Sequence, residues 1–207
     1  MILGITGGTG CGKTTLLSCI QELGGVVLDC DEIYHNLLKT DKKMLAAIDA
    51  RFPGTVEDGV LDRKKLGATV YVDEAALLDL TAITHAHVRR EVERRLEGKP
   101  PLAAIDAIAL FESGLNKLCD ATVAVTAPEE DRVRRLMARD GIPETYARSR
   151  IAAQHPESWF RERCGYVLEN RGTAREFHQK CLAFLQNMGI IEKDKKTIEY
   201  GGNKNER

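Results

Sequence analysis

A glycine-rich segment near the N-terminus constrains the fold of this chain more than any other feature. Residues 7–14 read GGTGCGKT and match the pattern G-x-x-x-x-G-K-[ST] without a mismatch. They follow an apolar run at residues 2–6 and lead into residues 14–23, whose apolar side chains recur at helical spacing. A strand, a glycine loop and a helix in this order form a cradle of backbone N–H groups for phosphate oxygens. The segment therefore predicts binding of a nucleoside triphosphate, without specifying what receives the phosphate.

Each residue type in this loop has a physical reason. Glycines let consecutive N–H groups converge on phosphate, Lys13 can reach the β- and γ-phosphates, and the Thr14 hydroxyl can ligate Mg²⁺. Cys11 lies among loop amides beside Lys13, an environment that is expected to lower the pKa of its thiol and to give alkylation that bound nucleotide protects against. The loop residues predicted to bind the nucleotide, which the family resemblance described below implies to be ATP, are Thr9, Gly10, Cys11, Gly12, Lys13 and Thr14.

The charge balance of the chain excludes several classes of protein. The 207 residues hold 30 Lys and Arg against 31 Asp and Glu, a net charge of −1, and 43% are hydrophobic. This composition is typical of a soluble globular protein and argues against a partner such as long nucleic acid. The longest apolar run, residues 102–111, is too short to cross a bilayer and contains Asp106. With no signal-peptide pattern at residues 1–4, we expect a cytoplasmic protein without a membrane partner, as a monomer or weak homo-oligomer.

Cysteine spacing gives no sign of a disulfide framework or a zinc site. The chain has six cysteines, but none form a C-x-x-C pair, and a chain of this size can bury a core without covalent cross-links. The pair His85-x-His87 has neither the spacing nor the partners of a zinc site. We therefore expect six reduced thiols.

Strands and helices alternate along most of the chain. Strands are predicted at 2–6, 26–29, 102–110, 121–125 and 166–168, and helices lie between and after them. From residue 31 to about 98 no strand is predicted, and Asp62 and Asp73 are expected to cap helices that begin at 63 and 74. Pro128 is placed as the first residue of a helix that Gly141 ends, and Pro143 starts another. The fold class is thus α/β, a P-loop NTPase-like parallel sheet flanked by helices, with a helical insertion.

Two acidic residues follow the second predicted strand. Asp29 and Asp31 lie at its carboxyl end, the edge of an open parallel sheet at which ligands bind. A carboxylate there can orient an attacking hydroxyl and accept its proton, while its neighbour orders the water shell of a metal. The alternative is a helix N-cap, and Asp31 could serve as both cap and catalytic group.

Arginines are concentrated in residues 132–171. This segment has nine arginines, no lysine and five acidic residues, a balance of +4. Arginine binds phosphate oxygens through two parallel hydrogen bonds and keeps its charge, so two arginine-bearing helices around Gly141 indicate a lid over a triphosphate. Most of the nine are expected to lie on a solvated face. Arg139 and Arg150 are predicted to be the pair that faces inward.

In their order along the chain, these features resemble the dephospho-coenzyme A kinase family. A switch GTPase is disfavoured because Asn116-Lys117 lacks an Asp at the fourth place of the base-reading motif. The resemblance extends from residue 2 to about 187. Its matching segments are 4–14, 29–33, 61–63, 83–85, 110–112 and 150–154.

This resemblance implies ATP-dependent phosphorylation of the ribose 3′-hydroxyl of dephospho-CoA, with Mg²⁺ as cofactor. It implies Asp31 as the catalytic base, His85 and Glu112 in acceptor-side motifs, and Asn170 near the adenine of ATP. Alternatives are a nucleoside-monophosphate or small-hydroxyl kinase on the same core, and a nonenzymatic P-loop regulator. The predicted division of the chain is a nucleotide-binding core in 1–32, 99–135 and 160–188, a helical acceptor domain in 33–98, a lid in 136–159 and a polar tail in 189–207.

The chain departs from the family pattern at packing and backbone-shaping positions. Ala86 and Ile108 stand where the family usually has proline, and Ala109 replaces a leucine. Thr9 and Cys11 replace the commoner isoleucine and serine of the loop. These changes spare the charged groups and concern the detail of the acceptor pocket.

Overall fold

A computed structural model describes residues 1–191 as helices around a parallel sheet. The strands are β1 (Ile2–Thr6), β2 (Val26–Asp29), β3 (Val56–Glu57), β4 (Val60–Leu61), β5 (Ala103–Asp106), β6 (Ala121–Thr126) and β7 (Tyr166–Glu169). The helices are α1 (Lys13–Glu22), α2 (Cys30–Thr40), α3 (Lys42–Arg51), α4 (Arg63–Val70), α5 (Glu74–Leu96), α6 (Glu129–Asp140), α7 (Glu144–Ala152), α8 (Glu157–Arg163) and α9 (Ala174–Asn187). A short 3₁₀ helix covers Leu115–Leu118. From residue 192 onward, the predicted polar tail lies outside the described residues.

The main sheet has five parallel strands in the order β2-β5-β1-β6-β7. Its central strand, β1, is apolar because helices cover both faces of the sheet. Leu3 and Ile5 of this strand are fully buried, in a cluster shared with α1 and α9. On the opposite face, residues of α2 and α5 form a second cluster with β2 and β5. The predicted α/β class with a parallel sheet is confirmed.

Helices α2 to α5 share a hydrophobic cluster that contains no residue of the five-stranded sheet. Each of the four begins at an aspartate whose carboxylate accepts two backbone N–H groups, which satisfies donors that the helix itself cannot pair. The predicted caps Asp62 and Asp73 are confirmed, and Asp29 and Asp41 act in the same way. Four caps and one shared cluster explain why this stretch folds as a helical layer.

The expectation of no strand between residues 31 and 98 is wrong. Strands β3 and β4 pair as an antiparallel hairpin around Asp58-Gly59, both with positive φ, 50° and 76°. Two consecutive left-handed residues are what a two-residue hairpin turn requires, and Asp-Gly is a typical pair there. The dipeptide was a signal for this hairpin, but the flanking strands are only two residues long.

The predicted strand 102–110 is too long. Strand β5 ends at Asp106, and the chain then turns away from the sheet. Leu110 is nevertheless fully buried, because its side chain packs close to Gly4 of β1. The apolar run therefore continues past Asp106 because residues such as Leu110 are buried there, although they do not pair with a neighbouring strand.

Helices α6 and α7 pack on each other through Val133, Leu136, Ala147 and Ile151. Gly141 ends α6 in a left-handed conformation with φ 65°, as predicted. Pro128 and Pro143 were predicted to be the first residues of two helices, but each is the N-cap, so both helices begin one residue later than predicted. Helix α8 is not among the elements predicted from the sequence.

Candidate active site

The glycine loop joins the carboxyl end of β1 to the first turn of α1. Gly7, Gly10 and Gly12 have φ of 135°, 77° and 99°, values at which a residue with a Cβ atom has a strained backbone. Space is also lacking, because a Cβ on Gly7 would lie 2.1 Å from the carbonyl oxygen of Val125, and one on Gly12 would lie 2.3 Å from Nδ2 of Asn170. Both conformation and close packing therefore require glycine at positions 7 and 12.

Neighbouring side chains hold this loop in place. Arg132 Nε donates to the carbonyl oxygen of Thr9 at 2.9 Å, and Asn170 Nδ2 donates to that of Cys11 at 2.9 Å. Gln154 Oε1 accepts the N–H of Thr9 at 2.8 Å and an N–H of Arg132 at 3.0 Å. The predicted site residue Asn170 thus contacts the glycine loop, residues 7–14, which is called the ATP loop below after its expected ligand. Gln154 was noted only as part of a family motif.

The loop forms one wall of a cleft of about 660 Å³. The sequence-predicted residues that the structure brings together around this cleft are Thr9, Gly10, Cys11, Gly12, Lys13, Thr14, Asp31, Arg139 and Arg150. The cleft thus gathers the backbone N–H groups of the glycine loop, one lysine and arginines, which are donors suited to a polyanion such as a triphosphate. It also holds the carboxylates of Asp31 and Asp106, which can accept a proton or bind a cation. Asn170 lies behind the loop, and His85 and Glu112 are not among the lining residues.

Asp106, at the carboxyl end of β5, is a residue of this cleft that sequence reasoning missed. Its Oδ1 is buried, has no hydrogen-bond partner and lies 4.0 Å from Nζ of Lys13. Burial raises the pKa of Asp106 to about 6, the charge of Lys13 partly opposes this, and the charges of Asp29 and Asp31 add to it. An acidic residue inside an apolar run, at the end of a strand beside the phosphate loop, was the available signal.

Asp29 and Asp31 have different surroundings. Asp29 Oδ1 accepts the N–H of Asp31 at 2.9 Å and that of Glu32 at 3.0 Å, so Asp29 is the cap of α2. The possibility that Asp31 caps this helix is therefore wrong. The Asp31 side chain instead lines the cleft beside the glycine loop.

A second cavity, of about 190 Å³, adjoins the first. Asp31 and Ile108 line both cavities, and Tyr34, His85 and Ser113 are among the other residues of the second one. Its walls come from α2, α5 and the segment after β5. Asp31 therefore lies where the two cavities meet, which is the geometry required of a group that acts between a donor and an acceptor.

His85 is half-buried and lines the second cavity, and Glu112 belongs to the segment after β5, other residues of which line this cavity. Burial lowers the pKa of His85, and the negative charge of Glu112 partly offsets this. His85 is therefore a neutral imidazole near pH 7, able both to donate and to accept one hydrogen bond. Glu112 Oε1 contacts His155 Nε2 at 2.8 Å.

Arg139 and Arg150 line the cleft from α6 and α7 and share one partner, Asp140. Arg139 Nε donates to Oδ1 of this carboxylate at 2.6 Å, and Arg150 Nη1 donates to Oδ2 at 2.6 Å. We call Arg139, Asp140 and Arg150 the arginine clamp. Arg135 also lines the cleft, and its Nη1 donates to the carbonyl oxygen of Gly10 at 3.2 Å.

Cys11 does not have the activated thiol that the sequence suggested. Its side chain is 1% exposed and belongs to the hydrophobic core, and this burial raises its pKa although Lys13 acts in the opposite direction. Desolvation of a thiolate outweighs the nearby positive charge. Within the described chain all six cysteines are free, as expected.

The donor groups in the cleft fit a magnesium ion bound together with nucleotide. Among residues 1–191 no cluster of three His, Cys, Asp or Glu side chains could hold a metal alone. Mg²⁺ usually takes one or two protein oxygens and completes its shell with water and phosphate. The exposed Thr14 hydroxyl and the unpartnered Oδ1 of Asp106 are oxygen donors of this kind. No helix in residues 1–191 is long and apolar enough to cross a membrane.

A parallel sheet with a phosphate loop after its central strand, facing a cleft lined by Lys13, carboxylates and arginines, defines a P-loop kinase. The family model for dephospho-CoA kinase matches residues 1–176. The chain therefore belongs to the dephospho-CoA kinase family, whose members phosphorylate dephospho-CoA with ATP to give CoA.

Relatives of known name support this membership. Dephospho-CoA kinase of Geobacillus kaustophilus is 35% identical, over 93% of this chain and 99% of the relative. That of Anaeromyxobacter dehalogenans is 40% identical, over 90% and 92%. The crystal structure of TT1252 from Thermus thermophilus is similar with a TM-score of 0.75 and 35% identity, covering 91% of this chain and 97% of that one.

Proposed function

We propose that the chain transfers the γ-phosphoryl group of ATP to the ribose 3′-hydroxyl of dephospho-CoA, with Asp31 as the catalytic base. The observation that carries this assignment is that Asp31 lines both the cleft beside the phosphate loop and the adjoining cavity of His85. A hydroxyl that enters from the second cavity meets this carboxylate before it reaches the phosphate. Asp31 orients the hydroxyl and accepts its proton as the new P–O bond forms and the bond from the γ-phosphorus to the bridging oxygen breaks, releasing ADP.

On the donor side, the amides of residues 9–14 and the ammonium of Lys13 bind the phosphates of ATP. Arg139 and Arg150 meet the charge that develops on the transferred group, since arginine pairs well with phosphate oxygens. Both arginines donate to the carboxylate of Asp140, so we expect the phosphates of ATP to compete with this carboxylate for them. Asn170 supports the loop from behind by donating to the carbonyl oxygen of Cys11. Its proposed position near the adenine of ATP rests on the family resemblance.

Thr14 and Asp106 would hold Mg²⁺, through the Thr14 hydroxyl and the unpartnered Oδ1 of Asp106. Held there together with ATP, the ion would supply positive charge that offsets the charge of the phosphates. Lys13 and Asp106 face each other across 4.0 Å, so the lysine offsets the buried carboxylate until nucleotide arrives. The sequence suggested that Asp29 orders the water shell of the metal, but Asp29 caps α2. We therefore assign the role at the metal to Asp106.

On the acceptor side, His85 and Glu112 contact dephospho-CoA from the helical layer and from the segment after β5. The separate cluster of α2 to α5 supports residues 33–98 as the acceptor domain, and the packing of α6 on α7 supports a lid within 136–159. The nucleotide-binding core is then 1–32, 99–135 and 160–188. Six free thiols are consistent with a cytoplasmic protein, and light scattering of the purified chain will test the expected monomer or weak homo-oligomer.

Replacement of Asp31 tests the proposed base. We expect Asp31→Asn to lower kcat about a hundredfold or more while leaving ATP affinity nearly unchanged, because the amide accepts no proton. Coupled ADP release with dephospho-CoA measures the first quantity, and titration with a fluorescent ATP analogue measures the second. Glu32→Gln, an exposed neighbour on the same helix, is the matched control. A near-normal kcat in Asp31→Asn would exclude this residue as the base.

A panel of acceptors tests the substrate. With ATP and Mg²⁺, we expect ADP release that depends on dephospho-CoA and not on nucleoside monophosphates or shikimate. Release with another acceptor alone would indicate a different kinase on the same core. No acceptor-dependent release would indicate a nonenzymatic P-loop protein.

A further inference from the structure

The turn between α7 and α8 carries two adjacent side chains that contact opposite sides of the active site. Gln154 Oε1 accepts the N–H of Thr9 in the ATP loop at 2.8 Å. The next residue, His155, contacts Oε1 of Glu112 through Nε2 at 2.8 Å. Because a carboxylate only accepts, Nε2 of His155 carries the hydrogen of this bond. One turn thus touches both the ATP loop and the segment that follows β5.

Aromatic packing fixes the ring of His155. It stacks on Trp159 of α8 with a centroid distance of 4.1 Å and an interplanar angle of 6°. Trp159 in turn meets the edge of Phe111 at 5.7 Å, and the guanidinium of Arg163 lies 4.4 Å above the indole. Since Phe111 is the neighbour of Glu112, the turn holds this segment through an apolar contact and a hydrogen bond. A free surface histidine would lose more side-chain entropy in forming the same bond.

Glu112 belongs to a segment that shapes the acceptor cavity. Ile108, Ala109 and Ser113 line this cavity, and the charge of Glu112 acts on His85 inside it. The position of the Glu112 carboxylate relative to the cavity is therefore set from outside the cavity, by a residue that sequence reasoning did not single out.

We propose that His155 is a positioning residue for the acceptor, which holds the Glu112 carboxylate at the edge of the dephospho-CoA cavity. The inference rests on the acceptor role proposed for Glu112. Through its neighbour Gln154, the same turn holds the ATP loop, so the acceptor-side carboxylate and the phosphate cradle are aligned by consecutive residues.

Two substitutions separate the hydrogen bond of His155 from its stacking. His155→Phe keeps an aromatic ring on Trp159 but has no N–H, whereas His155→Gln keeps a donor and lacks the ring. We expect His155→Phe to raise KM for dephospho-CoA about three- to fivefold, the range of an exposed hydrogen bond, with KM for ATP unchanged. We expect His155→Gln to restore most of this loss. His178→Phe is the matched control, because His178 is also exposed and faces a glutamate, Glu22, at 3.9 Å.

A double-mutant cycle with Glu112→Ala, which removes the acceptor oxygen, distinguishes the possible failures. If His155 acts through Glu112, His155→Phe has no further effect on KM for dephospho-CoA in the Glu112→Ala protein. Independent, multiplying effects would overturn the inference, as would a normal KM in His155→Phe while Glu112→Ala raises it. If Glu112→Ala leaves KM unchanged, the acceptor role proposed for Glu112 fails, and the inference fails with it.

Discussion

The ATP loop and the arginine clamp face the same cleft, but protein contacts hold them in different ways. Arg132, Gln154 and Asn170 bond the backbone of the loop from behind, and its glycines fit against neighbouring atoms. The arginines of the clamp bond the exposed Asp140, which belongs to the same region of the chain. Protein contacts therefore fix the shape of the loop, whereas the arginines of the clamp are proposed to exchange the Asp140 carboxylate for phosphate when nucleotide binds. A loop that binds the charge of phosphates is expected to be preorganised. Arginines of a lid that closes over the nucleotide are expected to exchange partners.

The largest effect is expected on the preorganised side of this comparison. Lys13→Ala removes the ammonium proposed to bind the phosphates and should lower kcat/KM at least a hundredfold, since the other donors cannot take its place. Initial rates over a range of ATP concentrations will measure it. Lys42→Ala, an exposed lysine on α3, is the control. An unaffected rate in Lys13→Ala would mean that the loop does not cradle the phosphates.

An intermediate effect is expected at Asp106, behind Lys13. Because its folded pKa, about 6, lies above its unfolded value, its contribution to stability is present below about pH 4 and lost as pH rises through 6. Asp106→Asn should therefore increase the free energy of unfolding of the nucleotide-free protein at pH 8 by about 2–3 kcal/mol. It should also reduce turnover.

Thermal unfolding of both proteins at pH 8 and at pH 5 will test this prediction. At pH 5 the wild-type carboxyl is mostly protonated, so the two melting temperatures should come closer together. A variant that is less stable than wild type at pH 8 would show that the pairing with Lys13 outweighs the burial of the charge.

The smallest effect is expected in the clamp. Asp140→Asn weakens the exposed bonds of Arg139 and Arg150 to this side chain, which are proposed to compete with phosphate, so KM for ATP should fall by up to about threefold. Added salt should reduce the difference between variant and wild type, because exposed ion pairs are screened. A rise in KM for ATP would instead indicate that Asp140 orients the arginines towards phosphate, and the clamp would then be as preorganised as the loop.

The parts predicted well are those in which local sequence and tertiary structure require the same residues. The apolar run 2–6, the glycines of the loop and the aspartate caps each have a short-range pattern with one physical meaning. The strand predicted at 102–110 shows the opposite case. Burial of Leu110 against Gly4 makes the residue apolar whether or not the chain is paired there, so hydrophobicity alone could not place the end of β5.

The candidate site divides in the same way. Lys13, Thr14 and Asp31 were found because a motif or a strand end marks them. Whether they bind and react as proposed stays a prediction. Asp106 was noted only as an interruption of an apolar run, because its meaning depends on the strand beside it. The prediction of a lowered pKa for the Cys11 thiol was wrong for a similar reason. Its neighbour in sequence, Lys13, lowers this pKa, but burial in the folded protein raises it by more.

By itself, the sequence determined the chemical class of this protein. A phosphate loop between an apolar strand and a helix has few other uses, and the order of later motifs resembles one family, to which the chain belongs. Tertiary structure alone decided that Asp31 lines both cavities, that Asp106 faces Lys13, and that the turn at residues 154–155 contacts both the ATP loop and the segment after β5. The physical reason is that backbone conformation is specified over a few residues. Burial, pairing and pKa depend on groups that lie far apart in the chain.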